Sequence, residues 1–165
     1  MLVASQGPPA SKLFDVLLIV HVGFVVVTLL VVGALYLAAG SVAKTNEGSS
    51  WPASGVKFFS PGREIAGRLL YGIPATGILL LMTSEGHYGW TNPFVIIGLT
   101  LWLVGIALGE GLVFPAASSL RQLVAASSGP GEAQEPQRFS SRLQWGVDGI
   151  VLVLVAGAIV MVAQP

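Results

Sequence analysis

The sequence predicts an all-α fold, a four-helix transmembrane bundle with both termini outside. Three observations lead there. Hydrophobic residues make up 53% of the 165 positions and only 10% are Asp, Glu, Lys or Arg, whereas a soluble domain carries about a quarter charged residues. Four stretches are apolar over the roughly 17 to 25 residues that a helix needs to cross a bilayer. The charges, eight basic and eight acidic, lie mainly between those stretches. This composition excludes disorder, which needs low hydrophobicity and high net charge, and a broad basic face for nucleic acid. Without cysteine there is no disulfide, thiolate metal site or Cys nucleophile.

The first span covers about 13–39, interrupted by Asp15 and His21. Its length, about 40 Å at 1.5 Å per residue, requires tilt or protrusion. Leu37-Ala38-Ala39-Gly40 offers the small residues of a signal-peptide cleavage site. The apolar run, however, is nearly twice the length of a signal core of about 7 to 15 residues. The second span covers 61–83 and opens on Ser60-Pro61, a cap followed by a first-turn proline. Pro74 inside it bends the helix and frees the carbonyl of Leu70.

Asn92-Pro93 repeats the cap-then-proline signal and opens the third span, 93–117; the fourth is 143–163. Residues 40–59 read as a polar loop, 84–91 as a short turn and 118–142 as a flexible cytoplasmic loop. The whole of 1–165 is then a single integral membrane domain.

Lys44, Lys57, Arg63, Arg68, Arg121, Arg138 and Arg142 all fall on one side of these spans, and only Lys12 on the other. The positive-inside rule puts the seven in the cytoplasm. Trp51, Tyr88, Trp90 and Trp145 lie near span ends, where aromatic side chains anchor at headgroup depth.

Ionisable residues inside a span need a partner or water, because hydrocarbon penalises charge. Depth arithmetic groups Arg68, Glu110 and Asp148 near the cytoplasmic end, where one guanidinium can serve two carboxylates. An interhelical ion pair fixing the bundle is the plain reading; a proton-coupled carrier is the sharper one. His21 lies roughly 12 Å below the outer end of span one. A neutral imidazole bonded to a neighbouring helix is its plain role. Haem or copper ligation, with His87 on the same side as second ligand, is the sharper one. Gly98, Gly105 and Gly109 form a small-residue stripe suited to close helix packing. No zinc-protease, phosphate-loop or serine-hydrolase motif occurs.

Leu17-Leu18-Ile19-Val20-His21-Val22-Gly23, Pro74-Ala75-Thr76-Gly77, Val113-Phe114-Pro115 with Arg121, and the final Val160 to Pro165 together form a pattern. It resembles a bacterial family of small, predicted four-helix integral membrane proteins with an early histidine and a C-terminal methionine-to-proline tail. That family usually ends in Lys-Pro, where this chain has Gln164-Pro165. The early histidine is also similar to that of copper-resistance-type membrane proteins, which implies a metal or haem link for His21 alone. The resemblance implies a four-helix fold in a bacterial inner membrane, without an established activity. The expected function is a non-catalytic bundle within the lipid bilayer, an accessory or structural subunit joined to other membrane subunits or to copies of itself. Haem or copper handling through His21, and proton-coupled transport through Arg68, Glu110 and Asp148, are the alternatives.

Overall fold

The computed structural model describes residues 12–45, 50–59, 65–84, 86, 88–126 and 134–163. Among them every regular element is helical: α1 (Lys12–Ala43), α2 (Ala53–Phe59), α3 (Ile65–Thr83), α4 (Pro93–Leu108), a π-turn (Gly109–Val113), α5 (Phe114–Ala126) and α6 (Gln134–Val162).

α1 is organised by a seven-residue rhythm. Phe14, His21, Thr28, Leu35 and Val42 are all buried, and a repeat of seven keeps them on one seam of a helix packed at a shallow angle. The seam serves two neighbours: α3 beside its first half and α6 beside its second. The main core lies at the second end. There Leu35, Ala38, Ala39 and Val42 meet Val113, Ala116, Ala117 and Leu120 of the π-turn and α5, and Leu143, Val147 and Ile150 of α6.

Two features at this end differ from the sequence reading. The polar loop 40–59 contains α2, whose Phe59 is buried with the neighbouring Trp51; Trp51 therefore belongs to the core and not to a headgroup belt. The expected flexible loop 118–142 is helical over 118–126 and 134–142. Leu120, Leu123 and Val124 recur at helical spacing on the core side of α5, while Ser118, Ser119 and Gln122 around them are polar. That amphipathic pattern extends a helix beyond its apolar stretch. The span expected at 93–117 thus belongs to one helical rod, Pro93–Ala126.

Pro74 and Pro115 each stand four residues after a carbonyl that another helix satisfies. Pro74 cannot donate to the carbonyl of Leu70, and the indole Nε1 of Trp102 on α4 donates to it at 3.3 Å. Pro115 stands four residues after Gly111. The carbonyl of Gly111 accepts from Arg142 Nη2 of α6 at 3.2 Å. At the opposite end the turn after α3 closes on Gly86, whose φ of 84° suits a residue without Cβ. Tyr88 stacks on Phe14 and meets Phe94 edge-on there.

The exterior is apolar. Ile19 (71% exposed) and Leu37 (73%) on α1, Met82 (73%) on α3 and Leu152 (72%) on α6 all face outward. Three helices, Lys12–Ala43, Pro93–Ala126 and Glu135–Val162, are long and apolar enough to cross a membrane, and Leu69–Thr83 is a shorter apolar helix.

Candidate functional site

His21 sits on the α1 seam where it faces α3, and is 2% exposed. Its Nδ1 lies 2.9 Å from Thr76 Oγ1. The same hydroxyl lies 2.9 Å from the carbonyl of Gly72 and 3.0 Å from that of Ile73. A threonine hydroxyl has one proton and two lone pairs. With that proton directed to its own helix, Thr76 accepts from Nδ1–H. In the neutral form of this tautomer the lone pair is on Nε2, which is buried without a hydrogen-bond partner among the described residues. Gly77 lies against the imidazole, where a Cβ would stand in ordinary contact, 3.4 Å from Cε1. Gly72 is what lets α1 approach closely, since the ring of Phe24 occupies the space of its missing side chain.

A ligating histidine characteristically donates its other ring N–H to a fixed acceptor, so the Thr76 arrangement fits a donor role for Nε2. Among the described residues no group of three or more His, Cys, Asp or Glu side chains could hold a metal ion. His87, the expected second ligand, lies outside the described residues.

Glu110 and Asp148 occupy different seams. Glu110 lies in the π-turn, exposed, and accepts a hydrogen bond from Tyr71 Oη of α3 at 2.7 Å. Asp148 is exposed on α6 in a groove shared with Gly33, Tyr36 and Leu37 of α1. Arg68 lies one turn before Tyr71 on the backbone of α3, and its side chain falls outside the described residues. Arg142, which sequence reasoning counted only as a cytoplasmic marker, reaches the π-turn at the carbonyl of Gly111. Its signal was present in the spacing of Gly111 and Pro115.

The glycine stripe divides. Gly105 and Gly109 are buried against Val153 and against Phe114 and Leu70, whereas a Cβ at Gly98 would meet nothing within 4 Å. A closer crossing involves Gly146 of α6, where a Cβ would stand 2.7 Å from Val113 Cγ2 and 3.0 Å from Leu112 Cβ.

Long apolar helices with an apolar exterior define an all-helical membrane protein. No family model, curated protein or solved structure matches the chain.

Proposed function

We propose that the chain is a non-catalytic integral membrane bundle acting as an accessory or structural subunit of a larger complex in a bacterial inner membrane. In this reading α3 is the fourth span and both termini are outside. A resemblance to small four-helix bacterial membrane proteins, carried by Leu17 to Gly23, Pro74-Ala75-Thr76-Gly77 and Val113-Phe114-Pro115, supports this reading. The observation that carries the proposal is Glu110. It is a carboxylate on the outside of the bundle, seventeen residues into an apolar helix that begins at Pro93, and its hydrogen bond comes from a tyrosine that is itself 45% exposed. An ionisable group facing hydrocarbon is costly, and a partner subunit over this face removes that cost. The test is extraction at native abundance in a gentle detergent. The chain is expected to migrate with stoichiometric partner proteins, and Glu110→Gln to weaken that association while leaving the chain folded. Migration as a lone monomer rejects the reading.

The unpartnered Nε2 of His21 favours a second reading, haem or copper handling. A Soret band in the purified protein, lost in His21→Ala, supports it. A colourless, metal-free preparation from cells supplied with haem and copper counts against it.

A further inference from the structure

The α1–α6 seam carries a second outward carboxylate, Asp148, beside a shallow apolar groove. Leu35, Ala38, Ala39, Val147 and Ile150 are buried along this seam, and Ser140 Oγ donates to the carbonyl of Ala39 at 2.6 Å across it. The two helices are therefore fixed relative to each other. Above this floor a groove of about 310 Å³ opens to the exterior, lined by Gly33, Tyr36, Leu37, Val147, Asp148 and Val151. Gly33 contributes no wall, since a Cβ there would meet nothing within 4 Å. The carboxylate of Asp148 makes no hydrogen bond or ion pair with any described residue.

Depth makes a carboxylate without a described partner significant. Asp148 stands five residues into the apolar stretch that begins at Leu143, about 7.5 Å along the axis. An aspartate side chain is too short to lift its charge back over that distance, whereas long cationic side chains can lay an apolar stem along a groove and place their charge at its end. The walls here are apolar and the terminus is anionic. A lipid acyl chain would match the walls and leave the carboxylate in hydrocarbon. A lysine or arginine side chain matches both.

We propose that this groove seats a Lys or Arg side chain carried by a transmembrane helix of a partner subunit, with the cation on Asp148 and its stem along Leu37 and Val151. The inference rests on the accessory-subunit reading and names the chemistry of one partner contact.

Leu30 is 69% exposed and lies seven residues before Leu37 on the same face of α1, which makes it a site for a photo-crosslinker beside the groove. With Leu30→benzoylphenylalanine in the full chain, irradiated membranes should yield an adduct to a transmembrane peptide of another protein that contains Lys or Arg. Asp148→Asn should cut that yield roughly tenfold or more, as loss of a desolvated charge pair does. Asp148→Glu should keep it. Gly33→Leu, which fills the groove and retains the charge, should also abolish it. Asp148→Lys combined with the reciprocal change of the partner's cation to Asp should restore it. Unchanged thermal unfolding in detergent separates these effects from misfolding. The proposal is overturned by an adduct to this chain itself or to lipid only, by a peptide without a cation, or by a yield indifferent to Asp148→Asn and Gly33→Leu. A stoichiometric complex whose crosslinks avoid the groove rejects this inference alone; a lone monomer rejects the accessory reading with it.

Discussion

Thr76 answers two demands with one hydroxyl. Its proton goes to the carbonyls one turn back in α3, and its lone pair receives Nδ1–H of His21. Removing the hydroxyl takes the side-chain hydrogen bond from a buried imidazole whose Nε2 already has no partner among the described residues. Thr76→Val is therefore expected to destabilise the protein by about 1–2 kcal/mol, read as a lower unfolding temperature in detergent, while Thr76→Ser stays close to the parent. If valine is as stable as serine, the hydrogen bond does not orient His21. The sequence was informative about His21 as a buried group bonded to a neighbouring helix, since an ionisable residue in an apolar run has few other stable states. It was silent about Thr76 as the partner. Residues 21 and 76 are fifty-five positions apart, and only the crossing of α1 and α3, opened by Gly72, brings them together.

Helices of this chain are joined through their defects. Pro74 and Pro115 each remove a backbone donor, and a side chain from a different helix takes up the carbonyl left behind. These are bonds between elements and not only repairs within one. Trp102→Phe should cost about 1 kcal/mol with Pro74 in place and less in a Pro74→Ala background, where residue 74 regains an N–H for Leu70. Equal losses in the two backgrounds would deny the coupling. Close crossings provide a second contrast. Gly146→Ala pushes a methyl into Val113 and Leu112 of the π-turn and should destabilise by about 1–3 kcal/mol, the usual cost of overpacking. Gly98→Ala enters open space and should be neutral or slightly stabilising, given the helix propensity of alanine. Composition marks all three stripe glycines alike, and burial distinguishes them. The start of α4 at Pro93 was legible from Asn92-Pro93, although Asn92 makes no side-chain cap bond. The helical extensions on both sides of 127–133 were not, because their Ser, Arg and Gln content looks like loop until Leu120 and Leu143 are seen to be buried.

At the scale of the whole molecule, sixteen charges that sum to zero distinguish one end of the bundle from the other. The main core and α2 lie at the end bearing Lys44, Lys57, Arg121, Arg138 and Arg142, and the Phe14–Tyr88–Phe94 aromatic cluster lies at the end bearing only Lys12. That asymmetry was readable before any coordinates, because cation counts depend on residue type and span order alone. The separation of Glu110 from Asp148 was not readable, since depth arithmetic fixes height and leaves the angle around the bundle open. The asymmetry also predicts orientation: Lys57 in the cytoplasm and Thr91 outside. The native chain has no cysteine, so a single substitution supplies the only thiol. A membrane-impermeant maleimide should label Thr91→Cys in cells whose cytoplasmic membrane is intact, and Lys57→Cys only after that membrane is opened. The reverse pattern inverts the bundle. Labelling of both sites in intact cells would place residues 57 and 91 on one side, which an α3 that crosses the membrane does not allow; α3 would then lie at the interface and the chain would have three spans.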